Sequence, residues 1–198
     1  MNKLLLCTSI FISTFFSLKS QSINDIFDRG VKKYEQNQFD EAIKDFSFVA
    51  SKDPYYSEAF YYRALCYVAK KNNTEALDNL NSAIKTNTKY YDAYMKRAEI
   101  NYSTGKTKEA MSDLEQIIAL NPKYIIAYEQ KAAIYLQLNK PEPALKDLSK
   151  AIELGTQNPE SFYKRAELYF NQKKYKEAAS DLTSAIKLDD KNAGYYFL

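Results

Sequence analysis

Residues 55–67 read YYSEAFYYRALCY. Six of the thirteen are aromatic and an arginine stands among them. Such a stretch serves as a cage for a cation, as a platform for stacked bases, or as core. The comparison that separates these readings lies within the chain. Shifted by 34 residues, Tyr56-Ser57-Glu58-Ala59-Phe60-Tyr61-Tyr62-Arg63-Ala64 falls on Tyr90-Tyr91-Asp92-Ala93-Tyr94-Met95-Lys96-Arg97-Ala98. Further shifts reach Tyr124 to Ala132 and Asn158 to Ala166. Five blocks (23–56, 57–90, 91–124, 125–158 and 159–192) follow without insertion. A fixed period of this size is the mark of a solenoid.

Each block reads as two helices. Phe60, Ala64 and Tyr67 keep helical spacing in the first half, and Ala76, Leu80, Ala83 and Ile84 in the second. Between the halves, Asn37, Gly105 and Asn139 share a column, and all three tolerate the left-handed conformation that ends helices. Asn158-Pro159 supplies a cap and a first-turn proline, and Pro143 also sits in a first turn. Small columns (Gly30, Ala64, Ala98, Ala132, Ala166 and Ala42, Ala76, Ala110, Ala144, Ala178) face bulky ones (Ile26, Phe60, Tyr94, Tyr128, Phe162 and Phe46, Leu80, Leu114, Leu148, Leu182). Small against large is what close packing requires.

The period, the Gly/Ala columns, the aromatic first half-block, and Pro54 and Pro122 ending their blocks resemble tetratricopeptide repeats. The resemblance covers residues 23–192 and fits the first block least, where Lys33 stands in the column of Tyr67, Tyr135 and Tyr169. It implies an all-α, right-handed superhelical solenoid of five helix–turn–helix repeats. It also implies a concave groove lined by the first helix of each pair, and a binding scaffold rather than a catalyst.

Composition agrees. The chain has 198 residues and 45% hydrophobic content, enough for one ordinary domain. It lacks histidine, which removes Ser-His-Asp and Cys-His catalysis and His-ligated zinc. A net charge of +3 is too weak to imply nucleic acid. Residues 1–20 have the layout of a signal peptide: Lys3, an apolar run from Leu4 to Leu18, then Ser17 and Ser20 before Gln21. The run is 15 residues long and interrupted by Thr8, Ser9, Ser13 and Thr14, short and polar for a span of about 20. Cleavage near Gln21, and hence export to the periplasm, envelope or exterior, is the expectation; an uncleaved anchor is the alternative. Cys7 lies at the start of the apolar run, where a lipidation cysteine does not belong. Cleavage takes away Lys3, Lys19 and Cys7, lowering the charge to +1 and leaving Cys66 as the single thiol, a small hydrophobe by its column.

The repeat also sorts the rings. A column constant through all blocks reads as scaffold, and one that varies is free for a partner. Phe60 and Tyr67 belong to the first kind. Arg29, Arg63, Arg97, Lys131 and Arg165 form a constant basic column opposite Asp45, Asn79, Asp113, Asp147 and Asp181. This is a charge ladder tying helices, with each pair adding about 0.2–1 kcal/mol if exposed. The varying positions are Phe27, Tyr61, Met95, Glu129 and Tyr163, with Val31, Leu65, Glu99 and Glu167 and with Tyr34, Tyr102 and Phe170. One turn earlier stand Glu58 and Asp92. In proteins that this chain resembles, that face lines the groove. Here it carries rings, aliphatics and acids, with neither lysine nor arginine among these residues. Such a groove suits a peptide or protein with apolar and basic groups, with Tyr61 as its anchor. The lysine-rich clamp by which related repeats hold acidic C-terminal tails is not evident.

The alternatives are a carboxylate-based hydrolase and a nucleic-acid binder that stacks bases. The acids fit the repeat, and those on the ring-bearing face oppose nucleic acid. No cofactor or metal is expected: Leu188 to Gly194 has the look of a calcium loop but lacks the closing glutamate. Residues 193–198 begin a sixth block, with Tyr196 in the bulky column. They are expected to fold over the last repeat or to mediate self-association.

Overall fold

The computed structural model describes residues 22–196. The signal-like segment, Phe197 and Leu198 lie outside the described residues. These comprise ten α-helices and a closing 3-10 turn, with no strand among them. They group into two compact units, meeting in sequence at Tyr90 and Tyr91. The first holds α1 (Ile23–Glu35), α2 (Phe39–Lys52), α3 (Ser57–Ala69) and α4 (Asn73–Thr86). The second holds α5 (Tyr91–Ser103), α6 (Thr107–Leu120), α7 (Ile125–Gln137), α8 (Pro141–Glu153), α9 (Pro159–Asn171), α10 (Tyr175–Leu188) and the turn Ala193–Tyr196. Helices pair as antiparallel hairpins, α1 with α2 through α9 with α10, and within each unit successive hairpins stack.

Turn chemistry repeats with the period. After each first helix one residue is left-handed: Asn37, Lys71, Gly105, Asn139 and Lys173. Around it the backbone closes a Schellman motif, as where Asn37 N–H donates to Tyr34 O (2.9 Å) and Gln38 N–H to Lys33 O (2.8 Å). Lys71 and Lys173 hold this conformation without the tolerance of Asn or Gly, at a cost of about 1–2 kcal/mol each. Second helices end differently. Asp53, Asn87, Asn121 and Asp189 each accept, on Oδ1, the N–H two residues on. The exception is α8, which stops one residue short and closes the same Schellman motif as the first helices, on Gly155 at φ 87°.

The core follows the facing columns. Ala42, Ala76, Ala110 and Ala144 are fully buried, as are Phe46 and Leu80. Gly30 shows why one column must be small: a Cβ there would sit 2.7 Å from the Phe46 ring. The other repeats use alanine in that column against leucine, so volume is conserved across the contact. Cys66 is buried, and burial pushes its thiol up to about 12, which removes thiolate chemistry at neutral pH.

The charge ladder is present, and stronger than an exposed one. Arg97 reaches Asp113 through Nε (3.0 Å) and Nη2 (2.5 Å), and Arg165 reaches Asp181 at 2.7 Å through both. Arg29 grips Asp45 in the same way, and Lys33 adds a 2.7 Å contact, which accounts for a lysine in a tyrosine column. The aspartates are buried, so the small value for exposed pairs does not apply: removing one partner strands a buried charge. Burial works to raise Asp45, but hydrogen bonds from Arg29 and Lys33 outweigh it and hold its carboxyl below the usual range. Arg63 faces neutral Asn79, and burial pulls it down.

Repeat four has the weak rung. Lys131 stops 3.7 Å from Asp147, too far for a hydrogen bond, and Asp147 Oδ2 is buried without a donor. Burial pushes the Asp147 carboxyl up, against the attraction of Lys131. Its folded-state pKa therefore lies above the unfolded one. Its contribution to stability is fully present below the unfolded pKa, about 4, and is lost as pH rises through the folded value. Lys131→Arg should supply the missing bidentate pair and add about 1–2 kcal/mol at neutral pH. In denaturant melts this gain should shrink as pH falls towards about 4. A gain independent of pH, or none, would contradict this account of the rung.

The C-terminal residues depart from expectation. Tyr195 is buried, with its ring 5.2 Å from that of Tyr163, whereas Tyr196, which the register places in the bulky column, is 57% exposed. The reason is the 3-10 turn, whose tighter winding carries the inward direction to a different residue of the pair. Tyr195 thus folds over the last repeat. Asp189 and Asn192, in the stretch with a calcium-loop look, accept N–H groups of their own turn.

Candidate functional site

In the first unit the varying columns are largely taken up by packing. Phe27 is half-buried, 5.0 Å from Tyr56, 5.5 Å from Tyr62 and 5.6 Å from Phe46. Tyr34 lies between Phe39 and Tyr62, and Val31 packs into the same cluster. Tyr61 stands edge-on to Tyr62 (5.8 Å) and 5.0 Å from Tyr90. Leu65, four residues on, is half-buried, and Glu58 is exposed. Burial, with Glu58, Asp28 and Asp53 nearby, pushes the Tyr56 phenol up. These rings are engaged with one another rather than free for an incoming partner.

The constant column behaves unexpectedly too. Phe60 is half-buried, not core, and the Arg63 guanidinium lies 5.4 Å from its ring centre. Tyr94 stands likewise to Arg97, and Tyr169 to Arg165. Rings flanking the ladder cation therefore serve the ladder, at about 0.5–2 kcal/mol each.

The second unit is more open. Asp92 is exposed, Met95 half-buried and Glu99 exposed. Tyr102 donates its hydroxyl to Gln137 one repeat on. Phe170 is exposed, edge-on to Tyr175 at 5.4 Å. Between α7 and α9 opens a cleft of about 550 Å³, bringing together Glu129, Ala133, Leu136, Gln137, Glu160 and Glu167 with Leu148 behind. An adjoining cleft of about 490 Å³ shares Leu136, Lys164 and Glu167 and runs towards Asn171. Glu129 is the best-fixed of these side chains. Its Oε1 accepts from Thr156 Oγ1 at 2.6 Å and from Ser161 Oγ at 2.7 Å, both hydroxyls being buried.

The face is not free of cations. Lys164 lies in the cleft, 2.9 Å from Glu167 and 3.5 Å from Glu160, and Lys96 contacts Glu99 at 2.5 Å. Both belong to a column (Asp28, Tyr62, Lys96, Gln130, Lys164) that varies as strongly as any. The variation that singled out Tyr61 marks this column equally. Ser161 interrupts a column of alanines (Ala59, Ala93, Ala127) and so carries a signal, whereas the role of Thr156 arises from the irregular linker after α8.

Family models of the tetratricopeptide repeat match residues 27–90, 91–124, 125–155 and 159–192. The chain belongs to the tetratricopeptide repeat family. Its fold is that of a protein–protein interaction scaffold. Among solved structures, the chain is similar to MamA at 23% identity and TM-score 0.70, covering 84% of this chain and 97% of that one. It is similar to PilF of Pseudomonas aeruginosa at 16% and 0.74, covering 87% and 79%. It is also similar to YrrB, described as a TPR protein with an unusual peptide-binding site, at 16% and 0.67, covering 93% and 95%. These likenesses show the fold. No curated protein sequence matches.

Because Tyr61 and Phe60 are both half-buried and both engaged, truncating either to alanine should cost about 1–3 kcal/mol, with the two within about 1 kcal/mol of each other. Thermal melts of the two variants check this. A near-neutral Tyr61→Ala beside a severe Phe60→Ala would restore the sharper division drawn from the repeat alone.

Proposed function

We propose that this protein is a non-enzymatic scaffold that holds a peptide or protein segment on the face formed by its first helices. The observation that carries this is the α7–α9 cleft, which joins apolar floor (Ala133, Leu136, Leu148), side-chain amides (Gln130, Gln137) and carboxylates (Glu129, Glu160, Glu167). Amides suit a peptide backbone, the floor suits apolar side chains, and the carboxylates favour a partner with basic groups. The same carboxylates repel a phosphate backbone, so stacking of nucleic acid is disfavoured. A hydrolase reading needs a second free acid beside Glu129, and Glu160 and Glu167 are both engaged by Lys164. The signal-like segment supports action in the envelope or exterior. No helix of the described residues is long and apolar enough to cross a membrane.

The reading is tested by panning a displayed random dodecapeptide library on the full chain. Peptides should be selected, and Ala133→Arg, which plugs the cleft from an exposed position, should abolish their binding without lowering the melting temperature. Peptides indifferent to Ala133→Arg, or preferential capture of single-stranded oligonucleotides, would overturn it. For export, sequencing of the native protein should find an N-terminus at or near Gln21; retained Met1 would refute processing.

A further inference from the structure

The cleft has a structural cause that indicates what fills it. Three of the four linkers between hairpins end on tyrosine, and each ring covers the first helix of the preceding repeat. Tyr56 lies 5.0 Å from Phe27, Tyr90 5.0 Å from Tyr61, and Tyr124 5.2 Å from Tyr91. In the fourth linker the tyrosine is replaced by Asn158, and the residue in the column of Phe27 and Tyr61 is Glu129. Both line the 550 Å³ cleft, so the opening lies where the other repeats insert a ring. Gly155 ends α8 early and turns Thr156 inwards, and Thr156 and Ser161 then fix Glu129 through Oε1 alone. Its Oε2 has no hydrogen bond among the described residues.

The charge balance is uneven. Three carboxylates, Glu129, Glu160 and Glu167, share one cation, Lys164, which is spent on the latter two. An aromatic filler in place of the missing tyrosine would press a ring against the polar head of Glu129 and leave its free oxygen unpaired. An acidic group would be repelled. A side chain with an aliphatic stem and a cationic tip satisfies floor and carboxylate together. We propose that the cleft is a seat for one lysine or arginine side chain of a partner peptide. The cation meets Glu129 Oε2, and the stem lies along Ala133, Leu136 and Leu148. The fixed position of Glu129 means that little side-chain freedom is lost on binding. This inference rests on the reading of the face as a peptide-binding surface and adds the identity of the group received.

The test takes dodecapeptides selected from the displayed library and titrates them calorimetrically against the wild-type chain, Glu129→Gln and Lys164→Ala. Glu129→Gln keeps an oxygen for Thr156 and Ser161 and puts an uncharged amide NH2 in place of Oε2. The selected peptides should share a basic residue. Glu129→Gln should weaken them at least tenfold, and norleucine in place of the basic residue should do the same. The two losses should not add, because they remove one interaction. Lys164→Ala should tighten binding by freeing two more carboxylates. Peptides lacking a shared basic residue, or bound equally by Glu129→Gln, would overturn the seat while leaving peptide binding intact. Failure to select any peptide would overturn both readings. Should Glu129→Gln lower the melting temperature, the norleucine exchange against wild-type protein decides alone.

Discussion

The cation sixteen residues before each buried acid is the contact on which the rest of the architecture depends. An antiparallel hairpin of two thirteen- to fourteen-residue helices brings these positions opposite one another, so Arg97 meets Asp113 and Arg165 meets Asp181 inside a single repeat. The same guanidinium also looks backwards. Arg63 donates to Ser47 and Arg165 to Ser149, each on the second helix of the preceding hairpin, and Lys131 faces Glu115 in the same way. One side chain thus touches three helices. It sets the register within the hairpin and the stacking of one hairpin on another. Neutral core columns of alanine and leucine can slide by a turn at modest cost, whereas a bidentate pair with a buried acid cannot.

This contact also accounts for the aromatic stretch around Arg63. A buried or half-buried guanidinium needs flat, polarisable neighbours as well as an acceptor, and Phe60 supplies one. Tyr62 closes over Phe27, Tyr34 and Phe46 of the preceding hairpin, while Tyr61 meets Tyr90. Most of the rings hold repeats together, and their recurrence every 34 residues follows from one packing problem solved repeatedly.

The fold was legible for that reason. Every local rule, from the left-handed residue after the first helix to the small-facing-large columns, recurs at one spacing and points to one answer. The site was less legible. Variation within a column marks freedom from the scaffold only when no neighbouring column packs against it. Phe27 and Tyr61 vary, yet the recurring linker tyrosines Tyr56 and Tyr90 pack against them. Lys164 lies one position from Tyr163, in a column that varies as strongly. Of the Glu129 contacts, Ser161 stands out from its alanine column, whereas Thr156 depends on a linker that breaks the period.

Departures from the repeat are concentrated rather than scattered. Repeat four has the lysine that fails to reach its aspartate, the shortened α8, the glycine turn and the linker without tyrosine. Each of these gives up packing or pairing that the other hairpins keep. Stability in a stacked-repeat protein is close to a sum of repeat and interface terms, so such losses weaken that hairpin and its contact with α9 more than distant ones. The cleft opens at that contact. A solenoid that followed its rule throughout would cover this space with a ring. Relaxing the rule at one junction creates concavity, a fixed carboxylate and a free oxygen together, and the intact rungs on either side, Arg97–Asp113 and Arg165–Asp181, hold the second unit in register around it.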